Sequence, residues 1–175
     1  MARYKSFVNR ALLWVLILTG VMALQACYPT YNWRTLSLAD GAVELAFPAR
    51  VDTATRQVDL AGVKVKFSLT SAEARDTLFS MGYATLPDSG TAMQTKAVQK
   101  ALVDSLAASM GQSAPETAYA GDVFRIESDA RGKPLAMVAR VLIHRNLAIR
   151  VVASGPPELL TDAVAQEFMR SLKLR

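Results

Sequence analysis

The sequence of 175 residues contains one cysteine, Cys27, and one histidine, His144. A single cysteine excludes an intramolecular disulfide. One cysteine with one histidine also argues against the usual zinc sites, which draw most of their four ligands from these two residue types. The longest apolar run covers the fourteen residues 11–24, whereas a helix that spans a bilayer needs about 20. The sequence therefore predicts no metal site, and this run is too short to cross a membrane as a helix.

Acidic residues are missing from the first 26 positions, which hold three of the 20 basic residues. The rest of the chain carries 17 basic and 15 acidic residues, so its net charge is +2, although the whole chain carries +5. A charge this small gives no field that would attract nucleic acid. The sequence also lacks the motifs of phosphate-binding loops, dinucleotide folds, serine hydrolases and zinc proteases. We therefore predict no catalytic residue, no cofactor and no nucleic-acid partner.

The N-terminal segment has a basic head and then the apolar run, which is the arrangement of a secretory signal peptide. The run ends in LQAC, where Leu24, Gln25, Ala26 and Cys27 resemble the lipobox of bacterial lipoproteins. That resemblance implies a diacylglyceryl group on the Cys27 thiol and cleavage before this residue by signal peptidase II. The alternatives are an ordinary secretory signal with a chance cysteine and an uncleaved membrane anchor.

Acylation of Cys27 would make the lipid bilayer a partner of the chain, because two or more acyl chains anchor a protein firmly. The resemblance implies a place in the bacterial cell envelope, facing the periplasm. Tyr28 follows the cysteine. In enterobacterial lipoproteins an aspartate at that place favours the inner membrane, so its absence here favours the outer membrane.

The remaining pattern predicts a single folded domain. We expect a signal peptide over 1–26, a lipidated cysteine with a short tether over 27–33 and a domain over 34–175. Residues 63–70 alternate strictly between apolar and polar, as a half-buried strand does, and Ala61-Gly62 predicts the turn of a hairpin. Further predicted elements are strands at 42–47, 55–60, 77–85, 117–127, 135–143 and 147–153, a helix over 91–110 and a last helix with Pro157 in its first turn. Hairpins with two helices indicate an α+β fold with a mainly antiparallel sheet.

Three sequence segments resemble the PsbP-like family, and in particular its bacterial lipoproteins of the DcrB type (DUF1795-like). They are VELAFPARVDTATRQVDLAGVKVKFSL from position 43, FSMGYATLP from 79 and RVLIHRNLAIRVVASGPPELLTDAVAQEFMRSLKL from 140. The resemblance covers nearly the whole predicted domain. It implies an antiparallel sheet with helices packed on its faces, and it implies no single function, because the fold serves scaffolding, assembly and binding roles.

A possible binding patch follows from the predicted hairpin of the strands at 135–143 and 147–153. If Ile143 faces Leu147, a three-residue loop holds His144 as turn filler and Arg140 lies opposite Arg150. Like charges across a strand pair are unfavourable, so either a carboxylate compensates them or they bind an anion or a partner. The candidate carboxylates are Glu127 and Asp122, and the candidate extensions of the patch are Lys64 and Lys66.

These observations favour a non-catalytic lipoprotein that binds or supports another envelope protein. The alternative is a carrier of a small ligand or lipid, with a cleft between the sheet and the helix over 91–110. An enzyme with an unrecognised site is the least favoured interpretation. Glu127 and Asp129 share a strand face, but nothing around them resembles a calcium loop or a glycosidase site, so they are predicted to be ordinary surface acids.

Overall fold

The computed structural model describes residues 31–87, 91–130 and 132–175. Its compact unit runs from Tyr31 to Arg175. The predicted signal peptide, the lipobox Leu24-Gln25-Ala26 and the lipidation site Cys27 lie outside the described residues, so they stay predictions. Within the described part, no helix has the length and apolarity needed to cross a membrane.

Six antiparallel strands form the large sheet, in the spatial order β3-β4-β5-β8-β7-β6, and a second sheet has the order β1-β2-β9. The strands are β1 Arg34–Leu38, β2 Val43–Phe47, β3 Asp52–Leu60, β4 Val63–Ala74, β5 Thr77–Thr85, β6 Val123–Ala130, β7 Lys133–His144, β8 Leu147–Gly155 and β9 Lys173–Leu174. The helices are α1 Ala92–Ser109, α2 Glu116–Tyr119 and α3 Asp162–Arg170, with a 3-10 turn at Ala39–Gly41. The predicted α+β class with mainly antiparallel pairing is confirmed.

Each face of the large sheet covers its own hydrophobic core, because successive side chains of a strand point to opposite faces. The α1 face packs under helix α1 and carries the buried side chains of Val65, Phe67, Ala148 and Val152. The small-sheet face packs under β1, β2 and α3 and carries those of Ile149, Val151 and Ala153. The central strands β5 and β8 are therefore covered on both faces, and the outer strands β3 and β6 form the edges.

The hairpin of β3 and β4 has the predicted turn. Leu60 pairs with Val63, and Ala61 and Gly62 between them have φ angles of +53° and +83°. Two residues at positive φ are the geometry of a type I′ turn, whose twist suits a hairpin. This prediction is confirmed, and the observed strands are longer than the predicted ones.

Helix α1 is also close to its prediction of 91–110. Thr91 caps it reciprocally with Gln94: the Gln94 amide donates to Thr91 Oγ1 at 3.2 Å, and the Thr91 amide donates to Gln94 Oε1 at 3.0 Å. Val98, Leu102, Leu106 and Met110, which recur every four residues in the sequence, are all buried. Such a capping box satisfies two amides that have no partner inside the helix.

Two predicted elements are wrong. Residues 117–127 do not form one strand, since α2 occupies Glu116–Tyr119 and β6 begins only at Val123. The last helix begins at Asp162 rather than around Pro157, because the Thr161 hydroxyl caps it by accepting from the Val164 amide. Residues 156–160 form a turn instead, in which the Leu159 and Leu160 amides donate to the Pro156 carbonyl. That turn places Leu160 in the core.

The folded unit includes part of the predicted tether. The Trp33 ring lies 5.8 Å from the Phe79 ring and 6.4 Å from the Phe168 ring, between centroids, and the Tyr31 ring lies 6.2 Å from Phe79. These spacings are typical of favourable aromatic pairs. Tyr31 and Trp33 are therefore partly buried and pack against the core of the small-sheet face, so only residues 28–30 separate Cys27 from the folded unit.

Candidate functional site

An open cavity lies on the small-sheet face, between α3 and strands β6 and β7. We call it the arginine cleft; its volume is about 620 Å³. Its floor is apolar and its rim carries three guanidinium groups. The apolar lining includes Val123, Val138, Ala165, Met169 and Leu172, and the arginines are Arg125, Arg140 and Arg170.

The position of α3 explains why the cleft is open. Helix α3 contacts β2 and β8, so it covers the centre of the large sheet, whereas β6 is an edge strand. Two of its residues, Phe168 and Met169, are buried, and Arg170 lies in its last turn. The edge beyond the helix stays partly uncovered, and Val123 at that edge is 48% exposed.

Arg125 has its charge compensated. Its Nε donates to Glu127 Oε1 at 2.7 Å, and its Nη1 donates to the Leu160 carbonyl at 3.2 Å and lies 3.5 Å from Asp162 Oδ1. These contacts join β6 to the start of α3. Arg125 therefore has a structural role at one end of the cleft, and Glu127 does not serve Arg140 as the sequence suggested.

Arg140 and Arg170 are not compensated. The Arg140 Nε donates to the Gly121 carbonyl at 2.9 Å, which holds the guanidinium at the rim. Among the described residues, no carboxylate lies within 4 Å of Arg140 or Arg170. Arginine stays protonated at any physiological pH and its fork suits carboxylate and phosphate oxygens. The cleft therefore offers two unpaired cations above an apolar floor.

The predicted pairing of Arg140 with Arg150 is wrong by one residue. His144 pairs with Leu147, so Arg140 lies opposite Val151 and Arg150 opposite Val141. The turn consequently has two residues instead of three, and the first of them, Arg145, has a positive φ of 54°. A one-residue slip turns every side chain of a strand to the other face. Arg140 therefore lies on the small-sheet face and Arg150 on the α1 face.

His144 is likewise not in the loop. It ends strand β7, and its Nε2 lies 3.1 Å from the carbonyl oxygen of Arg175, so it contacts the end of the chain. Strand β9, which precedes Arg175, pairs with β2. This contact therefore joins the end of β7 in the large sheet to the end of β9 in the small sheet.

Lys64 and Lys66 lie apart from the arginine cleft. Both are exposed on β4, and β5 and β8 separate this strand from β7. They line a shallow groove with Thr55, Ser68 and Tyr83. The four residues of the predicted patch thus occupy three different places: the cleft holds Arg140, the α1 face holds Arg150, and the groove on β4 holds Lys64 and Lys66.

Arg150 lies flat on an aromatic ring. Its guanidinium carbon is 4.8 Å from the centroid of the Phe67 ring, which is the geometry of a cation–π contact. Gly82 makes this possible, because a Cβ at that position would come within 2.3 Å of Phe67 Cζ and 3.0 Å of Arg150 Nε. The missing side chain leaves the space that the Phe67 ring occupies.

Replacing Gly82 by alanine is therefore expected to lower the free energy of unfolding by about 1–3 kcal/mol, the usual cost of overpacking. The added methyl would push the Phe67 ring and Arg150 from their positions. Urea unfolding of the purified protein measures the change. Gly62→Ala is a useful comparison, because a Cβ there meets no atom within 4 Å and only the φ of +83° opposes it. An unchanged unfolding midpoint for Gly82→Ala would contradict this packing.

The acidic residues form no metal site in the part of the chain that the structure describes: no three His, Cys, Asp or Glu side chains come together. The best-connected acid is Asp104 on α1. Hydrogen bonds from Lys100 at 2.5 Å and from the Tyr119 hydroxyl at 2.7 Å hold the pKa of Asp104 below its usual range. These contacts tie α2 to α1 on the surface.

Fold and cavity together define a two-sheet α+β domain with a basic, apolar-floored cleft at one sheet edge. No family model and no curated protein matches the chain. Among solved structures, the chain is similar to the solution structure of cyanobacterial PsbP (CyanoP) from Synechocystis sp. PCC 6803. The TM-score is 0.46 at 12% identity, over 86% of this chain and 98% of that one. A likeness of this size says nothing about the function of this chain.

Proposed function

We propose that the chain is a non-catalytic, DcrB-type lipoprotein of the bacterial cell envelope, anchored through Cys27. Its folded unit would bind an acidic, partly apolar segment of another envelope protein in the arginine cleft. The observation that carries the proposal is the pair of uncompensated guanidinium groups of Arg140 and Arg170 above an apolar floor. Arginine is enriched in protein interfaces, and complementary charge gives them specificity and rapid association.

The shape of the cleft supports a chain segment as the occupant. The cleft opens at the edge strand β6, and the apolar side chains of Val123, Val138 and Met169 line it. A segment with apolar side chains could cover this floor while its carboxylates accept from Arg140 and Arg170. Charge-assisted bonds to arginine are roughly twice as strong as neutral ones.

The short tether supports a partner at the membrane. Four residue steps join Cys27 to Tyr31, and an extended chain spans at most about 14 Å over four steps. An acylated Cys27 would therefore hold the folded unit close to the bilayer surface. Partners within reach would be membrane proteins and other lipid-anchored proteins, with the periplasmic face of the outer membrane as the proposed location.

A non-catalytic role is supported by the chemistry of the cleft. Its charged residues are three arginines and Asp162, and arginine does not exchange protons in the physiological range. Asp162 is exposed and lies near Arg125. General acid–base catalysis uses histidine most often, and no histidine lines the cleft among the described residues.

A small-ligand carrier is the second candidate. The volume of the arginine cleft lies within the range of about 300–1,000 Å³ that is typical of small-molecule sites. The sequence had placed such a site under α1, but Val98, Leu102 and Val103 fill that interface and are buried. Native mass spectrometry of the protein released from membranes would favour this candidate if a ligand copurified and Arg140→Gln removed it.

Site-specific crosslinking in cells tests the main proposal. A photoreactive amino acid at Val123, on the cleft rim, is expected to give a discrete adduct with another envelope protein. The double variant Arg140→Glu/Arg170→Glu should reduce this adduct at least five-fold, because charge reversal repels an acidic segment. The same photoreactive group at Met93 on α1, which is 80% exposed, is the matched control away from the cleft.

Mass spectrometry of the adduct decides the outcome. A crosslinked segment that contains aspartate or glutamate would support the proposal. An adduct that survives charge reversal, or that forms equally well from position 93, would refute binding in the cleft. Unchanged thermal unfolding of the double variant is the check that the loss is not due to misfolding.

A further inference from the structure

A second basic site lies on the α1 face, on the other side of the large sheet from the arginine cleft. It contains Arg150 of β8, Arg56 of β3 and the ring of Phe67 between them. Arg56 pairs directly with Phe67 across β3 and β4, and Arg150 is one row further along, opposite Gly82. Residues in these rows share a face, since directly paired residues of neighbouring strands point the same way.

The environment of Arg150 is unfavourable for a cation without a counter-ion. Its Nε is buried and has no hydrogen-bond partner among the described residues. Burial, and to a smaller extent the nearby charge of Arg56, lower the pKa of Arg150. The Phe67 ring offsets part of this cost through its π-face, but a ring accepts no conventional hydrogen bond from Nε.

No carboxylate of the described residues compensates either arginine. Neither Arg56 nor Arg150 has an acidic oxygen within 4 Å. Of the acidic residues of the chain, only Asp88 lies outside the described ranges. A buried charged group normally has a partner, since burying it alone is costly. The lack of a partner among the described residues is the observation that points to a ligand.

The site has a defined shape. A small apolar pocket of about 160 Å³, lined by Ala54, Arg56, Phe67 and Leu69, opens on this face beside Arg56. The Phe67 ring is fixed because it fills the space above Gly82. The guanidinium of Arg150 is therefore positioned before any ligand arrives, which lowers the entropic cost of binding.

We infer that Arg150 and Arg56 form a binding site for a phosphate group. Two guanidinium groups supply a charge of +2 and several donors, which match the charge and the oxygens of a phosphate monoester. A soluble phosphate ester and a phospholipid headgroup both present this group, and the chemistry of recognition is the same. This site is independent of the arginine cleft and of the partner proposed there.

Nuclear magnetic resonance tests the inference on the full-length protein in micelles of a neutral detergent. With ¹⁵N-labelled arginine, inorganic phosphate is titrated against chloride at constant ionic strength. The Nε–Hε signal of Arg150, assigned through Arg150→Lys, is expected to shift and to saturate. Arg56→Gln should weaken the apparent affinity at least ten-fold, and this exposed position allows the change without disturbing the fold.

Arg50→Gln, at an exposed position outside both basic sites, is the matched control and should leave the phosphate affinity within two-fold of the original. A shift that is absent or does not saturate, or that is the same in Arg56→Gln, would overturn the inference. Glycerol 3-phosphate and micelles doped with phosphatidic acid then distinguish the sources. Binding of the soluble ester assigns a soluble ligand, whereas saturation only with phosphatidic acid assigns a lipid headgroup.

Discussion

Replacing Phe168 by alanine is expected to lower the free energy of unfolding by about 3–5 kcal/mol, the usual cost of removing a buried phenylalanine. Phe168 is fully buried. Its ring centroid lies 5.1 Å from that of Phe79, 5.8 Å from that of Phe47 and 6.4 Å from that of Trp33. Among the described residues, only Phe79 and Trp33, both in contact with Phe168, have as many aromatic contacts.

The size of the effect follows from the position of Phe168 between the two sheets. Helix α3 carries it, β2 contributes Phe47, β5 contributes Phe79, and the segment before β1 contributes Trp33. Deleting the ring would leave a cavity that all these elements line. Because both sheets and the helix are held in register around it, the cavity cannot collapse without moving one of them.

Urea unfolding of the purified protein, followed by circular dichroism, measures this prediction. Phe168→Leu keeps most of the volume and should cost less than half as much as Phe168→Ala. Met93→Ala, at a position that is 80% exposed, should change the free energy of unfolding by less than about 0.5 kcal/mol. A loss below about 1 kcal/mol for Phe168→Ala would mean that the small sheet and α3 do not form one core with the large sheet.

Replacing Cys27 by alanine is expected to abolish lipid attachment completely. The diacylglyceryl group that carries the acyl chains would be attached to the sulfur of Cys27, which is the only thiol in the chain. Each buried methylene contributes about 0.8 kcal/mol to membrane binding, so two or more chains hold a protein firmly and none leaves it unanchored. The variant should also accumulate as the uncleaved precursor, because cleavage would follow acylation.

Metabolic labelling with a palmitate analogue, together with electrophoretic size and membrane fractionation, checks this. Gln25→Ala is the matched control: it alters the neighbouring permissive position and should preserve labelling and processing. If Cys27→Ala were still cleaved at this place and recovered in the membrane fraction, the lipoprotein assignment would be wrong. The proposed envelope location would then lose its basis. The proposal that the arginine cleft binds an acidic segment would remain, because it rests on the geometry of the folded unit.

The hairpin of β7 and β8 shows where sequence reasoning failed and why. Both strands are buried on both faces over most of their length, so nearly every residue is apolar and two registers bury almost equal amounts of apolar surface. Strict alternation, which fixed β4, is absent there. The turn has two residues instead of the predicted three, so Arg150 does not lie opposite Arg140. No local sequence pattern predicted this turn length.

The arginine cleft was missed for a related reason. Arg125 and Arg170 lie 45 positions apart in the sequence. The sequence around Arg125 predicts only an ordinary polar residue of a strand. Only the packing of α3 against β2 and β8 brings Arg170, Arg140 and Arg125 to one rim. The pattern did contain one signal, since Ala165 and Met169 are four apart beside Gln166 and Arg170 on the helix, but it does not say which strand they meet.

By itself, the sequence determined the features that depend on neighbouring residues. These are the alternating strand β4, the type I′ turn at Ala61-Gly62 and the capped helix α1; the acylation signal around Cys27 stays a prediction of the same local kind. The tertiary structure alone decided which side chains share a face and which charges remain without a counter-ion. The physical reason is that strand register and helix docking are set by the total fit of distant surfaces, and a shift of one residue exchanges the two faces of a strand.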